Sequence, residues 1–479
     1  MDSFKKCLLG FKMIYLVYLL FAFNAFINGM AWMNLATYVI AFLGVFFCVW
    51  ILLRWKRYKK AIAVVGLGLF VLSYAVSAFT HASYGGVIEN IKGFLWLIFP
   101  IFLLYVSAFD MTRKEMETEL IWLSMLYIVY CTVANCVSLS MLVWGRMYDY
   151  IDPTGIAHGI GYRWERLWGV YDDPNHGATI SAIAVFLLVY LYRKTKKLWQ
   201  KILIVICGVI QYAYIVFSDS RTGFVCLLAG IIFYAFFQLI KQKQLQWKKI
   251  LLFVGIFTII IAGDFGLKAA YASYDDMVKV QEVQKQSIAK EGTDKKENQK
   301  MDNKSNEKIN GKTNEQSDKS IVEERKEDLE RDYSNGRVAL WQDGLNIVKT
   351  SPFIGIGFRN MSGYAQKHFP NSHMVKNLYE VHYDSMHNLE MDVLVAQGLI
   401  GVFLFFGIFI SMFWKILQRV SRFQKENDCF LIVMLSSALA LGVAATFLSY
   451  IFYVNAPQNF CFWIILGYGM HALTEKEEA

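Results

Sequence analysis

Two arginines and one histidine stand where folding alone gives little reason for them. Arg221 lies in Ser218-Asp219-Ser220-Arg221-Thr222-Gly223, a turn between two apolar stretches so short that the guanidinium must sit at the mouth of a helix bundle. It must find anions or water there, or snorkel and pair with Asp219. Arg337 follows Ser334-Asn335-Gly336, a polar cap for a segment whose Val338, Trp341, Leu345 and Val348 share one helical face. Ser351-Pro352 ends that segment. His387, in His387-Asn388-Leu389-Glu390, stands where a long polar loop re-enters apolar sequence, partly desolvated and one turn from Glu390. That placement suits a general base, and equally an interfacial polar residue. His373 and His382 are its neighbours and competitors. A further cluster, Arg166 to Asn175, contains Asp173-Pro174, a natural N-cap and first-turn pair. Capping accounts for much of it, while the functional alternative puts Arg166, Asp173 and Asn175 around the same mouth as Arg221. Gly355-Ile356-Gly357 lacks the lysine and strand context of a phosphate loop, so nucleotide binding is discounted.

The elements that must position these residues are membrane helices. With 56% hydrophobic, 16% aromatic and only 18% charged residues in 479, the chain is too apolar for an ordinary soluble globule. Apolar runs long enough to cross a ~30 Å hydrocarbon core recur about twelve times, near 10–29, 32–53, 61–79, 94–109, 120–144, 176–192, 202–218, 223–240, 250–267, 388–412, 429–454 and 458–474. Lysine and arginine gather in alternate short loops, among them Arg54 to Lys60, Arg193 to Lys197 and Lys415 to Arg422. The positive-inside rule makes those loops and both termini cytoplasmic and turns the large polar loop outward. The net charge of +9 reflects this asymmetry and is no nucleic-acid footprint. Cys48, Cys131, Cys136, Cys207, Cys226 and Cys461 fall within spans, and Cys7 and Cys429 at their cytoplasmic edges, so no disulfide framework or thiolate metal site is expected outside.

The organisation is therefore three-part: spans one to nine over 1–267, an extracytoplasmic loop over 268–387, and spans ten to twelve over 388–479. Within the loop, 275–332 is a Lys/Glu/Asn-rich low-complexity stretch with too little apolar content to offset the ordering of its backbone, and reads as a disordered or loosely helical insert. Order resumes over 333–387.

In motif order the chain carries R-x-x-G-x-x-x-D-P-N before a span, S-R-T-G between two spans, and G-R-x-x-x-W leading through S-P-x-x-G-I-G into H-N. Over residues 160–410 this order resembles the O-antigen ligase and polymerase family of membrane glycosyltransferases. The resemblance implies an all-α, GT-C-like membrane fold and a polyprenyl-diphosphate-linked oligosaccharide as donor, used at the outer face of the cytoplasmic membrane. It implies that Arg221 and Arg337 hold the donor diphosphate and that His387 deprotonates the acceptor hydroxyl. No metal and no cofactor are expected, since fixed guanidinium groups can stabilise the charge that builds on the leaving group. Gln397 departs from the acid that the family often has before the glycine, and the insert lies outside the shared pattern.

Three other classes compete with this reading. A metal-dependent lipid-linked sugar transferase needs acids in its first external loop, and Gly29 to Trp32 holds none, which leaves Asp172 and Asp173 as the remaining metal ligands. A glycan transporter or flippase should line a mid-membrane path with ionisable groups and show related halves, whereas these spans read as nearly charge-free. A structural or receptor-like protein would tolerate loss of Arg221, Arg337 and His387. The reading is thus a polymerase of capsular or exopolysaccharide repeat units, with a ligase to another acceptor as the alternative and a flippase and chain-length regulator as partners. The composition of the insert suggests a bacterium without an outer membrane, where a lipid A ligase would lack its acceptor. Deleting residues 284–320 is expected to leave membrane insertion and glycan synthesis largely intact, measured as protein in the membrane fraction and polymer formed in cells.

Overall fold

The computed structural model describes residues 2–143, 147–153, 155, 157–163, 166–240, 247–297, 336–376, 383–419 and 428–474. Its principal helices are α1 (Ser3–Ala22), α2 (Ala31–Leu53), α3 (Val64–Thr80), α4 (Val87–Phe99), α5 (Arg113–Val143), α6 (Pro174–Lys194), α7 (Leu198–Phe217) and α8 (Arg221–Ile240). They continue with α9 (Trp247–Glu297), α10 (Arg337–Thr350), α11 (Met361–His368), α12 (Leu389–Gln418), α13 (Cys429–Ala445) and α14 (Pro457–Thr474). Among the described residues eight helical stretches are long and apolar enough to cross a membrane: α2, Val87–Asp110, α5, α6, α7, α8, Trp247–Tyr274 and α12. Two shorter apolar helices, α3 and α13, accompany them. With α1 and α14 at the places expected for the first and last spans, the chain is an all-α polytopic membrane protein.

The bundle is ordered by polarity and helix breaks. Every residue of α14 from Pro457 to Leu473 is buried, which makes it the hub. By contrast α2, α7 and α9 expose apolar side chains such as Phe42, Val209 and Ile259, as lipid-facing helices do. Pro100 interrupts α4, since it has no N–H to donate and its ring crowds the preceding turn. The helix passes there into a π-helical turn, Pro100–Tyr105, and then a 3₁₀ turn, Val106–Asp110. Gly467 of α14 comes against this turn, so close that a Cβ would lie 3.0 Å from Tyr105 Cα.

The spans are not free of charge. Lys12 of α1 is completely buried and donates to Glu119 of α5 at 2.6 Å and to Ser107 Oγ at 3.1 Å. Tyr468 of α14 donates to the same Glu119 oxygen at 2.5 Å. The pair was invisible as a pair in the sequence because its members are 107 residues apart.

Between α5 and α6 lies an unexpected three-stranded antiparallel sheet, β1 (Met147–Ile151), β2 (Ala157–Arg163) and β3 (Arg166–Gly169), in the order β1-β2-β3. A turn signal was present: Asp152-Pro153 begins the β1–β2 connection, and Gly155, at φ +88°, donates to Asp152 C=O at 2.9 Å. His158 on β2 reaches Asp152 Oδ2 at 3.0 Å and Asp172 Oδ1 at 2.8 Å, tying the hairpin to the strand leading into α6.

The segment after α10 explains the G-I-G motif. α12 is broken at Gly398, whose φ of 62° and ψ of −160° belong to a region open essentially only to glycine. The backbone groups freed by the break are taken up by Pro352 to Gly357. Ile356 and Gly357 donate to Val395 and Ala396 C=O at 3.0 and 2.9 Å, and Leu399 and Ile400 donate to Pro352 and Phe353 C=O at 2.8 and 3.2 Å. Gly355 and Gly357 permit this approach, since a Cβ at either would press on the Ala396 or Ala78 backbone.

α10 ends at Thr350, as Ser351-Pro352 requires, but its inner face differs from the expected one. Leu340, Gly344 and Ile347 are buried, whereas Val338 and Leu345 are exposed. Gly344 decides this register, because α10 rests there against Met386, Met391 and Val395 at the start of α12. The helix of α9 runs unbroken past Tyr274 to Glu297, and residues 298–335 lie outside the described residues.

Gly398→Ala is expected to lower stability by about 1–3 kcal/mol or more, since it adds a Cβ in a glycine-only conformation. Gly407→Ala, in open space on the same helix, should be neutral. The recovery of monodisperse protein after detergent extraction and heating compares the two.

Candidate active site

The site is assembled from three helix beginnings. Asp173 caps α6, accepting from Asn175 N–H at 2.6 Å, and Pro174 takes the first helical position. Asn175 Oδ1 then accepts from Arg166 Nη2 at 2.8 Å and from Ser220 Oγ at 3.0 Å, while Arg166 Nε donates to Ser218 C=O at 2.9 Å. Ser220 Oγ also accepts from Gly223 N–H at 3.1 Å. The D-P-N and S-R-T-G motifs are therefore one hydrogen-bonded frame. Gly223 completes it by letting α8 lie directly against Ala178 of α6.

Within this frame Arg166 and the Oδ1 of Asn175 hold the turn. Arg221, the first residue of α8, is exposed and makes no hydrogen bond or ion pair among the described residues. Asp219, in a left-handed conformation at φ 47°, does not serve as its partner but pairs with Lys268 at 2.9 Å.

The second helix beginning is α10. Gly336 adopts φ +78° and places Arg337 at the first helical position. A side chain at Gly336 would collide with His373, whose ring stacks on Tyr383 with centroids 5.7 Å apart. The third is α12, capped by Asn388, which accepts from Met391 N–H at 2.8 Å and donates to Thr446 C=O at 2.9 Å. His387 immediately precedes this cap in a left-handed conformation, φ 49°, with Tyr383 edge-on at 5.8 Å.

These beginnings enclose a cavity of about 150 Å³ lined by Asp173, Asn175, Gly336, Arg337, Tyr383, His387 and two leucines. Arg337 and His387, 50 positions apart in sequence, thus face one space. Arg221 is not among the lining residues but lies close enough to Arg337 to act on its charge. Burial lowers the Arg337 pKa, the Arg221 charge lowers it further, and Asp173 opposes both. Burial likewise lowers the His387 pKa, helped by Arg337 and His176 and opposed by Asp173 and Asp384. A neutral imidazole beside a guanidinium can take a proton while the cation holds an anion.

Glu390 is not part of the lining, and its buried Oε2 has no hydrogen-bond partner among the described residues. His382 lies outside the described residues. Among the described residues no group of three or more His, Cys, Asp or Glu side chains is arranged to hold a metal ion. Asp172 is turned to His158 and Asp173 caps α6.

Sequence reasoning passed over Asp392, and placed Trp341 on a helical face and in the G-R-x-x-x-W motif without giving it a role at the site. Asp392 is fully buried in the first turns of α12 and accepts from Met386 N–H at 2.7 Å and Ser385 Oγ at 2.9 Å. Trp341 donates to Met386 C=O at 3.0 Å. An acid inside an apolar span was the available signal for Asp392. For Trp341 it was the one-turn spacing from Arg337.

An all-α membrane bundle with a cationic cavity at one end defines the class, a polytopic protein with a polar site at the end of its helices. Residues 207–406 match the family model described as O-Antigen ligase, and that segment is similar to the O-antigen ligase/polymerase family. The match includes Arg221, Arg337 and His387 and leaves out Arg166, Asp173 and Asn175. No curated protein matches the chain closely enough to support a relationship. The general class of function is that of O-antigen ligase/polymerase-type, glycosyltransferase-like proteins that act on lipid-linked glycans.

The opposing charges around His387 give a signed test. If neutral His387 is required, glycan synthesis falls as pH drops through its pKa, which lies below the ordinary histidine value. Removing the positive charge in Arg337→Gln should move this acid limb to higher pH in the residual activity. Asp173→Asn keeps a helix cap but removes a negative charge, and should move the limb to lower pH. The pH dependence of polymer formation in membrane preparations of each variant checks both signs.

Proposed function

We propose that the chain is a polymerase that joins polyprenyl-diphosphate-linked oligosaccharide repeat units of a capsular polysaccharide or exopolysaccharide. The reaction takes place at the outer face of the cytoplasmic membrane, with both termini inside. The observation that carries this reading is the meeting of Arg337 and His387 on one cavity with Arg221 beside it. The guanidinium groups hold the donor diphosphate, and His387 takes the proton of the acceptor hydroxyl. As the acceptor oxygen bonds to the anomeric carbon, the bond from that carbon to the diphosphate oxygen breaks and its electron pair leaves with the diphosphate. In-line displacement inverts the anomeric centre.

Electrostatics favours this division of labour. A diphosphate leaving group gains charge as the bond breaks, and a planar guanidinium meets two phosphate oxygens at once. General-base help from a positioned histidine is worth roughly 10²- to 10⁴-fold. Metal-independent catalysis follows from the proposal, because the two arginines take the place a divalent ion would fill. A flippase that delivers the lipid-linked unit and a regulator of chain length are the partners such a reaction calls for. Transfer of finished polymer to another acceptor would use the same groups. The lipid-linked species in a deletion strain separates the two: single repeat units accumulate if a polymerase is lost, and long lipid-linked polymer if a ligase is lost.

Arg221→Lys and Arg337→Lys are each expected to lower polymer formation by about tenfold or more, since an ammonium cannot reproduce the bidentate grip. Activity of the purified protein should survive a chelator. Strict dependence on Mg²⁺ or Mn²⁺ would remove the arginines from the diphosphate.

A further inference from the structure

We infer that Asp392, Ser385 and Trp341 form a clamp on the peptide before His387 and are positioning residues for it. The inference rests on the proposed role of His387. Asp392 uses both carboxylate oxygens on the turn that carries the histidine: Oδ1 accepts from Met386 N–H at 2.7 Å and Oδ2 from Ser385 Oγ at 2.9 Å. Ser385 Oγ in turn accepts from His387 N–H at 3.0 Å. The carbonyl of Met386 is held from the other side by Trp341 Nε1 at 3.0 Å. The N–H and C=O of Met386 are therefore pulled toward two different helices, α12 through Asp392 and α10 through Trp341.

This arrangement does two things that packing alone would not. His387 occupies a left-handed conformation, φ 49°, which an L-residue other than glycine adopts only when its surroundings impose it. The clamp imposes it from the residues on its N-terminal side, and the Asn388 cap from the other. Trp341 stands one turn after Arg337, so its indole N–H sets the distance between the helix that begins with the arginine and the turn that ends with the histidine. The carboxyl is completely buried, and each of its oxygens accepts from the loop that carries His387. An acid placed so near an apolar span is costly unless it is fully engaged, which fits a device retained for its geometry.

Ser385→Ala removes the two hydrogen bonds of its hydroxyl, to Asp392 and from His387 N–H, and Trp341→Phe removes the one to the Met386 carbonyl. Asp392→Asn keeps the shape of the side chain and removes its charge, and serves as the second variant if either of the others fails to accumulate. Two measurements are made on the full-length protein in detergent-extracted membranes and in cells. One is carbethoxylation of His387 by diethyl pyrocarbonate against pH, followed by mass spectrometry of its peptide. The other is the polymer formed per mole of protein.

The clamp predicts that folded protein persists, that the midpoint of His387 modification rises toward the ordinary histidine range as the ring leaves the Arg337 field, and that polymer falls by roughly 10²-fold. Variants that fold, titrate and polymerise like the parent would overturn it. A purely structural role would lower the amount of folded protein while leaving the midpoint and the polymer per mole unchanged, and so would also count against it. His387→Ala separates this from the proposed function. Full polymer in that variant removes His387 from the reaction, whereas its loss together with parent-like clamp variants rejects the clamp alone.

Discussion

A helix broken inside a bilayer must find partners for the backbone groups it releases, and that requirement shapes the functional half of this protein. α12 breaks at Gly398, and four hydrogen bonds from the Pro352 to Gly357 backbone fill the gap. The segment that fills it is the continuation of α10, so the same bonds fix where the Arg337 helix ends relative to the helix that follows His387. Three glycines in two distant motifs meet at this one joint. What looks in sequence like part of a phosphate loop is a plug for a membrane helix.

Around the joint, polar residues divide between those spent on architecture and those left for a ligand. Arg166, Asn175 and Ser220 satisfy one another and the Ser218 carbonyl. Arg221 and Arg337 end up near each other, and Asp173 offsets the charge on Arg337. Two guanidinium groups held so close, one of them half-buried, make a site of positive potential that an anion relieves. Burial, and after it the Arg337 charge in this field, holds the His387 pKa below its ordinary value.

Much of this was legible in the residues. The spans follow from apolar run length, and the turn of Asp219 and the cap at Asp173 from local chemistry. The three candidate side chains were singled out because folding explained them poorly. Contacts over long distances in sequence were not legible. Val338 and Leu345 of α10 share a helical face with Trp341, but only the presence of α12 shows that Gly344 turns that helix the other way. The sheet was missed because its strands are short and rich in glycine and polar residues, leaving the Asp152-Pro153 turn as the sole strong signal. Arg166 was read as a possible ligand contact because its acceptors, Asn175 and Ser218, come together only when α6 and α8 pack.

The buried pair of Lys12 and Glu119 bears on how the chain is made. A lysine near the middle of a span costs about 2.5–3.5 kcal/mol during insertion, and the glutamate that offsets it is synthesised 107 residues later. At ~5–20 residues per second that interval lasts roughly 5–20 s, during which α1 lacks its counter-ion. Tyr468, which closes the cluster, belongs to α14, synthesised later still. The contact that compensates Lys12 therefore forms only once α5 has been made, and until then the nascent chain carries a charged helix without its partner.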